Sequence, residues 1–81
     1  MMSYTIIRKE NARNKTGLPN SSFYAQIAEG LIPPPIRLGK RAVGWVESEI
    51  DAVVLARIQG KSDEEIKILV AELVTARTAQ C

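Results

Sequence analysis

Apolar residues recur at helical spacing in the second half of the chain. Counted from position 50 they return after three, four and eight residues, and counted from position 66 after three, four, seven and eight. Each set falls on one face of a helix with 3.6 residues per turn. The pattern predicts two amphipathic helices, whose apolar faces consist of Ile50, Val53, Val54 and Ile58 in the first and Ile66, Leu69, Val70, Leu73 and Val74 in the second.

Local signals mark the boundary between these two helices. Gly60 is expected to end the first, because glycine readily adopts the left-handed conformation found after helix ends. Ser62 and Glu65 then form a capping box, in which each side chain accepts a hydrogen bond from the backbone N–H of the other. The first helix is expected to begin near Val46.

Two shorter helices are predicted upstream, over residues 9–15 and 20–29. Gly17 and Gly30 follow them and are expected to end them. A turn that contains glycine between two short helices is typical of a helix-turn-helix.

The second of these short helices has one apolar side. Phe23 and Ile27 lie four residues apart and are expected to be buried. Asn20 or Ser21 is expected to cap its first N–H groups. The opposite side carries short or polar side chains, namely Ser21, Ser22, Ala25 and Glu29.

The remaining segments favour extended backbone. Residues 4–7 are β-branched or aromatic and predict a short strand. Three consecutive prolines at 33–35 exclude helix. Strands over residues 36–38 and 43–45, joined by a turn, then predict a β-hairpin with Arg37 in its first strand and Lys40 and Arg41 at its tip. Trp45 is expected to be buried and to anchor this hairpin to the helix that begins near Val46.

This element order predicts a mainly α-helical winged helix-turn-helix, with the hairpin as the wing and an extra C-terminal amphipathic helix. The second helix of such a fold can enter the major groove of DNA, while the wing contacts phosphates or the minor groove. The order alone also fits a protein-interaction module. The predicted DNA-binding residues are Asn20, Ser21, Ser22, Tyr24, Ala25, Arg37, Lys40 and Arg41.

Charge is distributed unevenly between the two halves. Residues 1–44 carry seven cations and two anions, a net charge of +5, whereas residues 45–81 carry four cations and seven anions, a net charge of −3. A basic half favours contact with a polyanion such as double-stranded DNA.

Composition argues against catalysis. The chain has no histidine and one cysteine, Cys81, which exclude histidine-based acid–base chemistry and a zinc site built on clustered cysteines. Glu47 and Asp51 lie four residues apart, but they are interpreted as the acidic start of a helix rather than as a metal pair. We therefore expect a cytoplasmic protein that is not an enzyme, with no metal, cofactor, small-molecule substrate or membrane span.

One stretch of the chain resembles a known family. The residues that carry the resemblance are Thr16-Gly17-Leu18, Ser21-Ser22-Phe23-Tyr24, Ile27-Ala28-Glu29-Gly30, Gly39 with Arg41 and Trp45, and Glu49-Ile50-Asp51. Over residues 6–58 the chain resembles the AlpA-type phage regulators, winged-helix proteins related to excisionases and to the MerR-type DNA-binding head. The resemblance implies DNA binding near prophage genes, in transcription or in excision.

The resemblance also implies roles for single residues. Ser21, Ser22 and Tyr24 correspond to its recognition helix, and the three wing cations to its wing. The chain departs from the family at three points. It has Pro19-Asn20 in place of Ser-Arg, Ala25 where arginine is frequent, and Val53 where tryptophan is frequent.

These observations divide the chain into a DNA-binding region, residues 1–60, and a C-terminal helix, residues 61–81. Two possibilities remain open for the apolar stripe of that helix. It can complete the core of its own chain, or it can pair with another copy. We expect a homo-oligomer, because two linked DNA contacts raise avidity.

Overall fold

A computed structural model describes residues 4–79 of the chain. Within this range, four helices and three short strands form the predicted mainly helical winged fold with an added C-terminal helix. The elements in chain order are β1 (Ile6–Ile7), α1 (Lys9–Thr16), α2 (Asn20–Ala28), β2 (Ile36–Arg37), β3 (Val43–Val46), α3 (Glu47–Ile58) and α4 (Asp63–Ala79).

The turn between α1 and α2 follows the predicted pattern at its start. Gly17 adopts a left-handed conformation with φ of +72°, and its N–H donates to the carbonyls of Arg13 and Asn14. The guanidinium of Arg13 also donates to the carbonyl of Leu18 at 3.1 Å, which closes the turn from its other side. This cation therefore has a structural contact inside the helix-turn-helix.

The predicted N-cap of α2 is wrong. Asn20 is already the first helical residue, and Pro19 occupies the cap position in extended conformation with no side-chain hydrogen bond. The carbonyl of Pro19 accepts the first helical bond, from the N–H of Phe23 at 2.9 Å. Proline suits this position because its fixed φ is compatible with the extended backbone that precedes a helix. Neither Asn20 nor Ser21 is consumed as a cap.

The three strands form one antiparallel sheet in the order β1-β3-β2. β3 is the central strand and pairs Ile7 with Trp45 on one side and Arg37 with Val43 on the other. The predicted hairpin is present, and its five-residue turn is closed by a 2.8 Å hydrogen bond from the Leu38 N–H to the Ala42 carbonyl. β1 is shorter than the strand predicted over residues 4–7, because it consists of Ile6 and Ile7 alone.

Two hydrophobic clusters fill the interior. The first joins β1, α1, α2, β3 and α3, and its buried members are Ile7, Ala12, Phe23, Ile32, Trp45 and Ile50. The second joins α3 to α4, and its buried members are Leu31, Val53, Ala56, Ile66 and Val70. α3 contributes side chains to both clusters, so it connects the winged part of the fold to the C-terminal helix.

The predicted apolar face of α3 is correct except at its end. Ile50 and Val53 are buried and Val54 is partly buried, but Ile58 is 76% exposed. Ile58 is the last residue of α3, beyond the ends of both clusters, and it lines an open groove of about 410 Å³ beside Leu18. Helical spacing identifies the face of a residue but not how far along the helix its partners extend.

The predicted capping box at the start of α4 is confirmed. The N–H of Ser62 donates to the Glu65 carboxylate at 3.0 Å, and the N–H of Glu65 donates to the Ser62 hydroxyl at 3.2 Å. The hydrogen bond from the Ser62 backbone, followed by a hydrogen bond from the Ser62 side chain, lowers the pKa of Glu65. Arg57, which pairs with Asp63 at 3.1 Å, further connects the end of α3 to the start of α4.

Candidate nucleic-acid interface

α2 is held to the core by Phe23, which is fully buried. The predicted groove-facing positions Asn20, Ser21, Tyr24 and Ala25 are exposed, whereas Ser22 is partly buried. Because Pro19 forms the cap, the amide of Asn20 and the hydroxyl of Ser21 make no capping hydrogen bond. The exposed side of α2 therefore presents the short hydrogen-bonding groups of Asn20 and Ser21 on a helix anchored by Phe23.

Tyr24 lies beside α1. Its ring is edge-on to Phe23 with centroids 5.8 Å apart, and the ammonium of Lys9 lies 5.6 Å from its centroid. These ring contacts are with residues of α2 and α1. Nearly half of Tyr24 remains exposed, at 47%. Its aromatic face holds Lys9 close to the exposed side of α2.

The wing presents three cations. Arg37 lies on β2, and Lys40 and Arg41 lie in the turn that follows it. All three are exposed, and within residues 4–79 none has a side-chain hydrogen bond or an ion pair. Four cations elsewhere in the described part of the chain are paired with carboxylates, namely Lys15, Arg57, Lys67 and Arg77.

The wing is fixed to α2 through the first cluster. Trp45 on β3 is 1% exposed and packs edge-on against Phe23 with ring centroids 5.4 Å apart. Its predicted burial is confirmed. Its indole N–H has no hydrogen-bond partner among the described residues. Phe23 and Trp45 thus connect the exposed side of α2 to the wing by one pair of buried rings.

The positive charge of Lys15 is neutralised by two carboxylates at the start of α3. Its ammonium lies 2.7 Å from Asp51 and 3.3 Å from Glu47. The hydrogen bond to Asp51, followed by that to Glu47, raises the pKa of Lys15. The carboxylates of Glu47 and Asp51 therefore hold a cation of the protein itself. Residues 4–79 contain no group of three potential metal ligands.

The ion pair between Arg77 on α4 and Glu49 on α3 was not predicted from the sequence. Nε and Nη2 of Arg77 donate to the two carboxylate oxygens of Glu49, at 2.9 and 2.6 Å. Nη2 also donates to the carbonyl of Pro34 at 2.8 Å. Glu49 is 6% exposed, and its contact raises the pKa of Arg77. Glu49 is an acidic residue in the first turn of α3. Because the helix dipole alone favours an acidic residue there, the sequence pattern did not indicate a distant partner for it.

The five predicted oligomerisation residues lie in or against the second cluster of their own chain. Ile66 and Val70 are buried there, and Leu69, Leu73 and Val74 pack against it. The exposed apolar residues of this region are Leu55 and Ile68, which line an open groove of about 450 Å³ between α3 and α4. No helix within residues 4–79 combines the length and apolar character needed to cross a membrane.

Comparison with known proteins identifies the class of this molecule. The sequence model described as Prophage CP4-57 regulatory protein (AlpA) matches residues 5–58, which contain the helix-turn-helix, the wing and α3. The chain belongs to this family. The AlpA family is a class of phage regulators that bind DNA, and α4 lies outside the matched residues.

A phage relative supports the assignment. Uncharacterized protein ORF88 of Enterobacteria phage P4 is 34% identical over 56 residues, which cover 69% of this chain and 64% of that protein. The chain thus spans somewhat less than two thirds of that relative. No solved structure shows significant similarity to the chain.

Proposed function

We propose that this AlpA-family protein binds duplex DNA in a sequence-specific manner and regulates transcription of prophage genes. In this proposal residues 1–60 form the DNA reader. α2 enters the major groove, and the wing from Arg37 to Arg41 contacts the backbone or the minor groove. The observation that carries the proposal is the set of three wing cations that have no hydrogen bond or ion pair within residues 4–79, joined to the exposed side of α2 through Phe23 and Trp45.

The proposed reading of bases uses the first turns of α2. Amide and hydroxyl groups at Asn20 and Ser21 can donate to and accept from base edges in a groove about 12 Å wide. Neither residue caps the helix, so base contacts would not disrupt it. Tyr24 and Lys9 lie next to these positions and are suited to phosphate contacts that set the depth of the helix.

The proposed affinity comes from the wing. Each cation that neutralises a phosphate releases condensed counterions, so affinity falls steeply with salt. Arg41 is the strongest candidate, because its guanidinium is exposed in the turn and has no partner within the described residues. Arg37 and Lys40 add nearby positive charge, and neither forms an ion pair with a described residue.

The test is fluorescence anisotropy with labelled duplex DNA from the region around the protein's own gene. Binding is expected to weaken steeply between about 50 and 200 mM salt. Arg41→Ala is expected to weaken it further and to reduce the salt slope by about one. Lys67→Ala removes the same charge from α4 and is the matched control, expected to bind like wild type. A scrambled duplex of equal length measures specificity.

The outcomes distinguish the competing functions. Absence of binding at low salt contradicts the DNA proposal and favours a protein-interaction module. Binding accompanied by bending of the DNA, measured by energy transfer between labelled duplex ends, favours an excisionase-like architectural factor over a regulator. Equal losses of DNA affinity in Arg41→Ala and Lys67→Ala would indicate that binding depends on the net charge of the protein rather than on the wing.

We further propose that the protein acts as a homo-oligomer. Since the predicted stripe of α4 is used within the chain, this pairing uses the exposed residues Leu55 and Ile68. Light scattering after size-exclusion chromatography is expected to give a multiple of the 8.9 kDa chain mass for wild type and the single-chain mass for Ile68→Glu. Ile58→Glu, at the exposed end of α3, is the control. A wild-type mass of one chain contradicts the proposal.

A further inference from the structure

The base of the wing is closed by a side chain from α4. Pro34 precedes β2, the strand that enters the wing, by two residues, and Glu49 lies three residues after Val46, where β3 leaves it. One guanidinium, that of Arg77, donates to both the Pro34 carbonyl and the Glu49 carboxylate. The two ends of the hairpin are therefore held by the same group, which lies outside the residues matched by the family.

We infer that Arg77 is a positioning residue for DNA binding, through which α4 fixes the orientation of the wing. The inference rests on the proposed DNA-binding function and extends it to a helix that does not form part of the reader. Arg77 has no direct role at DNA in this account, because its guanidinium is already engaged with Glu49 and Pro34.

The prolines that precede β2 allow this contact to influence the position of the wing. The run of three prolines at 33–35 has fixed φ angles and no N–H groups, so it forms no ladder of its own with β3. Movement at Pro34 is therefore transmitted along a stiff segment to β2. The described part of the chain gives the Pro34 carbonyl one side-chain donor, Arg77.

The Glu49 side of the contact is equally constrained. The carboxylate is 6% exposed, and both of its oxygens accept from Arg77. The planar guanidinium satisfies two carboxylate oxygens and a carbonyl at once, a geometry that a lysine ammonium does not reproduce. Glu49 belongs to the first turn of α3, which continues directly from β3. The contact thus couples the direction of the wing to the packing of α4.

The experiment measures DNA binding of the full chain against salt for Arg77→Met and Arg77→Lys, each with and without Arg41→Ala. Val70→Ala is the matched control, because it weakens the packing of α4 in the second cluster without contacting the wing. Arg77→Met is expected to weaken binding about tenfold and to reduce the salt slope by about one, since a displaced wing loses phosphate contacts. Arg77→Lys retains the charge and is expected to restore part of the affinity.

Coupling between the two sites separates positioning from general destabilisation. If Arg77 acts through the wing, Arg41→Ala costs much less affinity in the Arg77→Met background than in wild type. If Arg77 only stabilises the fold, the two effects multiply, the salt slope stays at its wild-type value, and Val70→Ala behaves like Arg77→Met. The second set of results overturns the inference.

A measurement without DNA keeps the inference independent of the proposed function. The Leu38 N–H, bonded to Ala42 across the wing turn, reports local opening through its hydrogen-exchange rate. Arg77→Met is expected to accelerate this exchange about tenfold more than Val70→Ala does at matched global stability. If Arg77→Met accelerates exchange at Leu38 but the wild-type protein does not bind DNA, the DNA function is rejected, whereas the role of Arg77 in positioning the wing is retained. Equal exchange in the two variants would reject the positioning.

Discussion

The indole of Trp45 packs edge-on against the ring of Phe23, with the ring planes inclined by 61° and both side chains almost fully buried. Phe23 belongs to the helix proposed to read bases, and Trp45 belongs to β3, the second strand of the wing. The two proposed DNA-contacting elements therefore share one buried contact. A change in either ring is expected to affect both elements together.

Truncation of Phe23 tests this contact. Phe23→Ala removes a fully buried ring and is expected to lower the free energy of unfolding by about 3–5 kcal/mol. That loss is a large part of the stability of a small domain. Urea unfolding followed by circular dichroism gives the value. Tyr24→Ala is the neighbouring control and is expected to cost within about 1 kcal/mol, because its ring is half exposed. Similar losses for the two variants contradict the assigned packing.

Gly44 in β3 provides a sterically defined prediction. A Cβ at this position would lie 2.5 Å from Cγ2 of Ile6, 3.0 Å from Cδ1 of Leu38 and 3.1 Å from the carbonyl oxygen of Ile7. Gly44→Ala is expected to destabilise the protein by about 1–3 kcal/mol through overpacking. The measurement is the urea midpoint together with the slope of the transition.

Gly39 supplies the matched control for that substitution. A Cβ at Gly39 meets no atom within 4 Å, and the residue does not require a positive φ. Gly39→Ala is therefore expected to leave stability unchanged or to raise it by about 0.5 kcal/mol, since alanine restricts the unfolded chain. If both substitutions are neutral, β1 and β3 do not approach as closely as described.

The sequence predicted the parts of this fold that depend on local order. Helix stripes, glycine stops, the Ser62–Glu65 capping box and the hairpin follow from residues within a few positions of each other, and each is present, with Ile58 the exception within the stripes. The cap of α2 was mispredicted because the preference of Asn20 and Ser21 for caps competed with the fixed backbone of Pro19. A side-chain cap at Asn20 or Ser21 and an extended Pro19 at the cap position are both local preferences, and the sequence alone did not show which one prevails.

The parts that escaped prediction depend on long-range contacts. Arg77 meets Glu49 across 28 residues and Pro34 across 43, and the short-range periodicity of α4 does not identify these partners. The exposed side of α2 was predicted from Phe23 and Ile27, because a buried face also defines its opposite. Which cations of the basic half stay unpaired was not predictable, since Lys15 is neutralised by residues more than thirty positions away.

An arginine introduced on α2 tests the proposed orientation of this helix on DNA. Ala25 is exposed, and the resemblance to the AlpA family indicates that arginine is frequent at this position. Ala25→Arg is expected to tighten binding by about threefold to tenfold and to steepen the salt slope by about one, because it adds a phosphate or base contact. Ala71→Arg adds the same charge to an exposed position of α4 and is expected to leave the affinity close to wild type. Equal gains would indicate attraction by net charge alone.

The pair of Lys15 with Asp51 and Glu47 gives a pH-dependent prediction. The hydrogen bond to Asp51, followed by that to Glu47, raises the pKa of Lys15 in the folded protein, so folding favours its protonated form. The stability from this pair is therefore fully present below the unfolded pKa of about 10.4 and is lost as pH rises through the higher folded pKa. Melting temperatures of wild type and Lys15→Met are expected to differ near neutral pH and to converge above that range.

Two further variants identify the titrating group. Lys15→Arg keeps the positive charge and does not titrate in this range, so its difference from Lys15→Met is expected to persist at alkaline pH. Lys61→Met removes an exposed lysine that has no ion pair within residues 4–79, and its difference from wild type is expected to stay small at every pH. A gap between wild type and Lys15→Met that is constant with pH would assign the stabilisation to the packing of the aliphatic stem rather than to the charge.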